Sequence, residues 1–172
     1  VEQKNFWQTP EQITAGIGPA YASLRGINND NSGYACGPVF QLQEVTSDEI
    51  IVPTRGSDWY DNGNWQSLWL HTWTPNLGPI NDAWEFIYRG VARINLILQT
   101  VNDLPEKPAG VEGIQAELKT LRAFYYYVAM DLYGNIPVVA DFTTDVSSIT
   151  NQPRAQVFQF IEKDLKDNLP FL

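Results

Sequence analysis

Apolar residues recur at three- and four-residue steps in several stretches of this chain, with polar residues between them. Over 80–104 the stripe is Trp84, Ile87, Tyr88, Val91, Ile94, Leu98 and Val101. Over 110–133 it is Ile114, Leu118, Leu121, Tyr125, Val128 and Leu132. This spacing gathers each set on one face of a helix, and such a face packs on a neighbouring helix. The link Pro105 to Ala109 is short and holds two prolines, so the pair is expected to fold back as an antiparallel hairpin. Val157, Phe160, Ile161 and Leu165 predict a further helix over about 154–168. Thr9-Pro10-Glu11-Gln12 has the chemistry of a helix start, with Thr9 as cap, Pro10 in the first turn and Gln12 closing a capping box. Ile13, Ile17, Ala20, Tyr21 and Leu24 continue that helix towards a stop at Gly26, and Pro19 should bend it. A shorter helix is allowed over 38–49, and residues 1–8 read as an incoming strap.

The remainder carries turn chemistry. Residues 26–37 are rich in Gly, Asn and Asp, 50–78 form a long irregular stretch, and 135–152 form a second loop after Gly134 and Pro137. Helix pairs in series predict an all-α fold of tetratricopeptide-like hairpins with long irregular loops. The repeat of ~34 residues is degenerate. A Trp84-x-x-Ile87 start is present, but the small residues that should follow it are not. A length of 172 residues predicts one domain, 1–172.

Charge and cysteine content narrow the function. With 20 acidic residues against 11 basic ones the formal charge is −9. Such a surface repels nucleic acid and anionic lipid. No apolar run approaches the ~20 residues of a membrane-spanning helix. No cleavable leader stands at Val1, so a secreted protein is expected to have lost it already. A lone Cys36 excludes an intramolecular disulfide and a thiolate metal cluster.

Trp59, Trp65, Trp69 and Trp73, four of the six tryptophans, fall within fifteen residues of the 50–78 stretch. Long structureless segments are usually functional or disordered, and disordered ones are poor in Trp. Trp and Tyr supply flat apolar platforms with a polar tip, and Asn, Asp and Arg supply directional hydrogen-bond partners, the two needs of a site for a small polar ligand with an apolar face. Arg55, Asp58, Trp59, Tyr60, Asp61, Asn62, Asn64 and Trp65 supply that mixture. Trp59 and Trp65 fit either a ligand platform or a loop anchor. Trp69, Trp73 and Trp84 stand nearest the helix hairpin and are expected to pin the loop to the core.

Other conspicuous residues have structural readings. His71 has no carboxylate at metal spacing and is expected to be partly buried, donating to a backbone carbonyl. Residues 28–33 look superficially like a calcium loop but lack the spaced acids and terminal Glu of an EF-hand. Of Tyr125, Tyr126 and Tyr127, helical spacing lets one or two face the core while the rest pack on the neighbouring helix, and Arg122 is expected to pair with Glu117 or Asp131. No catalytic residue, metal or cofactor is expected. Two competing functions are a glycoside hydrolase and a helical docking scaffold that uses the long loop as its surface. The hydrolase would need a carboxylate pair such as Asp58 and Asp61, yet both lie in one short turn with nothing to carry the second acid across a bond.

Five strings, in order, resemble the SusD/RagB family: TPEQITAGIGPAYASLRG, DWYDNGNWQSLWLHTWTP, WEFIYRGVARINLIL, AELKTLRAFYYYVAMDLYGNIPVV and PRAQVFQFIEKDL. The stretch from Glu117 to Pro137 is the most specific. The resemblance spans nearly the whole chain and implies the N-terminal helical domain of a longer protein, about its first third. It implies an outward-facing outer-membrane lipoprotein of Bacteroidetes nutrient uptake, non-catalytic, that binds an oligo- or polysaccharide and caps a SusC-type TonB-dependent porin. The lipidated anchor Cys of the family has no counterpart here, since Cys36 lies inside a loop. The family's Arg, Trp and Asn ligand residues map to Arg55, to Trp59 and to Asn62 or Asn64. Part of the family's ligand site is supplied by its C-terminal portion, which has no match in this chain.

Overall fold

The computed structural model describes residues 6–7, 9–25 and 37–172. Cys36, the Gly26 stop, the calcium-like segment 28–33 and most of the incoming strap lie outside the described residues. Helices dominate: α1 (Pro10–Arg25), α2 (Pro38–Glu44), α3 (Asn64–Trp69), α4 (Gly78–Asn102), α5 (Val111–Tyr133) and α6 (Arg154–Asn168). They group into two compact units. One holds the described residues up to Tyr21 together with Ile87–Leu172, and the other is Ala22–Phe86.

In the first unit α1 starts as its sequence dictates. The Thr9 N–H donates to Gln12 Oε1 at 3.1 Å, and the Gln12 N–H donates to Thr9 Oγ1 at 3.3 Å. This reciprocal pair satisfies two of the donors that a helix start leaves open. The helix runs on through Pro19, whose carbonyl accepts from Arg93 at 3.2 Å.

The predicted hairpin is present. Asn95 meets Arg122 across α4 and α5, and Asn102 meets Gln115. Positions that rise along one helix fall along the other, so the two run antiparallel. Arg122 meets Asp164 and Tyr126 meets Phe160 in the same inverted order, which sets α6 antiparallel to α5. Ile87, Val91, Ile94, Leu98 and Val101 from α4 are buried with Leu118, Leu121, Tyr125 and Val128 from α5. Gly90 is the point of closest approach. A Cβ there would lie 2.4 Å from the ring of the fully buried Tyr125. On α6, Val157 and Ile161 are buried, but Leu165 is exposed and lies outside the core that its spacing predicts for it.

Tyr125 and Tyr126 are fully buried, while Tyr127 points to solvent at 54% exposure. Successive residues turn by about 100° along a helix, so three in a row cannot all face the core. Arg122 is buried and structural, as expected, but its partner is neither Glu117 nor Asp131. Its Nε and Nη2 donate to Asp164 Oδ2 at 3.1 and 2.8 Å. Its Nη1 donates to Asn95 Oδ1 at 3.0 Å and to the Ala140 carbonyl. The carboxylate arrives from α6, 42 residues along the chain, because α6 packs against the same face of α5.

The segment that leaves α5 is held by this polar cluster. Tyr126 Oη donates to the Val139 carbonyl and accepts from the Val139 N–H, at 2.9 and 2.7 Å. Tyr88 Oη donates to the Pro137 carbonyl at 2.8 Å. Within the second loop lies a small ribbon, β1 (Ile136–Pro137) antiparallel to β2 (Asn151–Gln152). Asn135 Oδ1 accepts the Arg154 N–H at 2.9 Å and so caps α6 from the far side of that ribbon.

The second unit buries Val39, Val45, Leu68, Ala83 and Phe86. Its α2 is shorter than the span 38–49, ending at Glu44. The stretch 50–78 is not irregular throughout, because a 3-10 turn (Asp61–Gly63) runs into α3. Trp65, Leu68 and Trp69 stand at i, i+3 and i+4, the signal that marks such a turn of helix. Leu68, fully buried, anchors it.

Candidate functional site

The site is built in the second unit on a tight turn. Arg55 and Asp58 exchange backbone bonds, N–H to carbonyl, at 3.0 and 3.1 Å, and Gly56 takes φ +65° between them. The chain then stays in unusual backbone geometry. Trp59, Asp61 and Asn62 have φ of 54°, 40° and 55°, and Gly63 has 77°. Asp, Asn and Gly visit the left-handed region readily, but a bulky L-residue pays roughly 1–2 kcal/mol there. Trp59 is thus held in a conformation its own side chain disfavours, and strain of this kind collects at functional sites.

That turn throws the aromatics outward. Trp59 is 55% exposed, and its ring centroid lies 6.0 Å from that of the half-buried Trp65, with the planes tilted by 59°. Trp65 is fixed from behind, since its Nε1–H donates to Asp61 Oδ2 at 2.5 Å, one helical turn away. The Thr54 hydroxyl accepts from Gln66 Nε2 at 3.3 Å and so ties the base of the turn to α3.

Six of the eight sequence candidates, all but Asp61 and Trp65, make no side-chain hydrogen bond among the described residues. The side chains of Arg55, Asp58, Tyr60 and Asn62 are exposed. Asn64 is half-buried, and its Nδ2 sits 3.6 Å from where a Cβ on Gly78 would stand. Asp61 differs, because one of its oxygens is already taken by Trp65. It serves to position an indole as well as to offer a lone pair.

Trp69, Trp73 and His71 lie nearer to solvent than their sequence positions predict. Trp69 and Trp73 are 46% and 40% exposed, so neither is sunk in the core as expected of a pin. Trp69 follows Trp65 by four residues on α3 and therefore shares its face. Trp84 is half-buried. Leu68, not an indole, is the anchor. His71 takes a positive φ of 56° and is exposed, not partly buried as predicted. Its Nε2 lies 2.7 Å from the Thr46 carbonyl. A carbonyl has no proton to give, so Nε2 is the donor, as expected. The ring sits 5.0 Å from Trp73.

Among the described residues no group of three or more His, Cys, Asp or Glu could hold a metal ion. No described helix is long and apolar enough to cross a membrane. The arrangement offers flat apolar faces beside unengaged hydrogen-bonding side chains, which is stacking and directional-bonding chemistry.

Comparison with known proteins gives a consistent answer. A SusD-like family model, described as starch-binding and associating with the outer membrane, matches residues 37–172. A SusD-like protein of Formosa agariphila is 22% identical over 167 residues, covering 97% of this chain and 30% of that protein. Among solved structures, a laminarin-binding SusD-like protein superposes with a TM-score of 0.75 at 22% identity, covering 96% of this chain and 35% of that one. A SusD homologue from Bacteroides thetaiotaomicron gives 0.77 at 16% identity, with 99% and 32% covered. The surface glycan-binding protein A of Bacteroides fluxus gives 0.71 at 20%, with 92% and 32% covered. The chain spans about a third of the length of these relatives.

Proposed function

The chain belongs to the SusD-like family, and on that premise we propose that it is the helical, glycan-contacting portion of a non-catalytic outer-membrane surface protein. That protein binds an oligo- or polysaccharide and passes it to a SusC-type TonB-dependent porin. The observation that carries the reading is the pair Trp59 and Trp65, held 6.0 Å apart on a strained turn with Trp59 open to solvent. Exposed large aromatics in a fixed geometry lose little freedom on binding and give their area to the ligand. Arg55, Asp58, Tyr60, Asn62 and Asn64 would meet the hydroxyl edge, and Asp61 would hold Trp65 in place.

A hydrolase is disfavoured by the same geometry. Asp61 is engaged by an indole, and Asp58 sits in the same short turn, so the two acids are not placed on opposite sides of a glycosidic bond. Isothermal titration of the full-length protein against a polysaccharide panel tests the proposal, with laminarin included because a structural relative bears that name. Saturable heat with at least one glycan and no release of reducing sugar is expected. Heat with none would favour a docking scaffold, and sugar release would make the protein an enzyme.

A further inference from the structure

We propose that the first unit carries a second binding site, a cavity that takes one neutral polyhydroxylated ring, a monosaccharide unit, by hydrogen bonding without stacking. The cavity lies between α4, α5 and the loop after β1, with a volume of about 330 Å³. That is the lower end of the ~300–1,000 Å³ range of small-molecule sites, room for a single ring. This reading stands apart from the indole site, whose residues belong to the other unit.

The lining chooses the ligand. Four amides, Asn95, Gln99, Asn102 and Gln115, face a space walled on its apolar side by Leu98. Each amide carries both donors and an acceptor, and a sugar hydroxyl is both donor and acceptor, so the two sets match. The wall is rigid where it must be. Asn95 is buried, accepting from Arg122 and donating to the Val139 carbonyl at 2.8 Å. Gln115 Nε2 donates to Asn102 Oδ1 at 2.6 Å, which leaves Gln115 Oε1 and Asn102 Nδ2 for a ligand. Gln99 Oε1 is buried and has no hydrogen-bond partner among the described residues. An unsatisfied buried acceptor is costly, and the broad terminal torsion of Gln lets it turn into the cavity and accept a hydroxyl proton.

Charge argues against an anionic occupant. Asp103 and Asp141 line the space against Lys119, which has no ion pair among the described residues. Arg122 is already neutralised by Asp164. An anion would meet two carboxylates against one ammonium, and the glucosamine control tests whether that excess of negative charge favours a cation instead.

The test uses the full-length protein with glucose, galactose, mannose and inositol as probes, and glucuronate and glucosamine as charged controls. Ligand-observed NMR should show saturable binding of at least one neutral probe. Affinity should fall at least tenfold in Gln99→Leu combined with Lys119→Met, and stay within twofold in Trp59→Ala combined with Trp65→Ala. Lys119→Met alone, a surface-compatible change, gives the same direction should the double variant fold poorly. The proposal is overturned by no saturation with any neutral ring, by tighter binding of either charged control, or by affinity that follows the indoles and ignores Gln99 and Lys119. Because the indole variant is read with monosaccharides, failure of the polysaccharide site and failure of this cavity give separate results.

Discussion

Trp65 owes its orientation to one hydrogen bond. Removing the acceptor in Asp61→Ala frees the indole to turn about its side-chain torsions while Trp59 keeps its exposure. The expected result is a several-fold loss of glycan affinity with an unchanged melting temperature. Titration calorimetry beside a thermal melt checks it, and an unaltered affinity would show that the indole needs no such support. Arg122 poses a different problem at the same scale. It is a buried cation whose charge, among the described residues, is met by Asp164. Truncating one member of such a pair strands the other, at about 3–5 kcal/mol. Asp164→Ala should therefore lower stability in urea by that order, and Arg122→Met combined with Asp164→Leu should recover a good part of it. The sequence marked Arg122 as structural but could not name its partner, since nothing local ties α5 to a residue on α6.

At the scale of elements, periodicity carried most of what could be read. The stripes on α4 and α5 predicted a hairpin because each helix needs a partner for its apolar face, and Thr9-Pro10-Glu11-Gln12 specified its own capping bonds. Reading stopped where tertiary placement decides. Trp69 and Trp73 stand near the helix hairpin in sequence, yet both are exposed, and on α3 it is Leu68 that fills the position facing inward. The turn of α3 was hidden by the glycines and asparagine around it, although Trp65, Leu68 and Trp69 carry its spacing. The close crossing of α4 and α5 also yields a prediction. Gly90→Ala sets a methyl against the Tyr125 ring, and overpacking of this kind costs about 1–3 kcal/mol. Chemical denaturation should show that loss, whereas Gly18→Ala, with open space around it, should not.

Across the whole molecule, alkaline pH should loosen the fold through its tyrosines. Burial pushes the Tyr126 hydroxyl up to about 12, and burial together with Glu117 does the same for Tyr21. Burial also raises Tyr88. An unfolded Tyr ionises near 10, so the folded state holds protons that the unfolded state has lost. The contribution of these groups is complete below about pH 10 and falls away as pH rises towards 12. Stability measured by urea titration should decline across that window, and Tyr126→Phe should flatten the decline. A slope that is unchanged in the variant would assign the effect to other groups.

The account as a whole rests on Trp59 and Trp65 as the face that meets a sugar. The most direct measurement is the affinity of the full-length protein for its best polysaccharide, in wild type and in Trp59→Ala combined with Trp65→Ala. Affinity should fall at least tenfold, about 1.4 kcal/mol or more, with the melting temperature held. An affinity that survives the double substitution in a folded protein would contradict it.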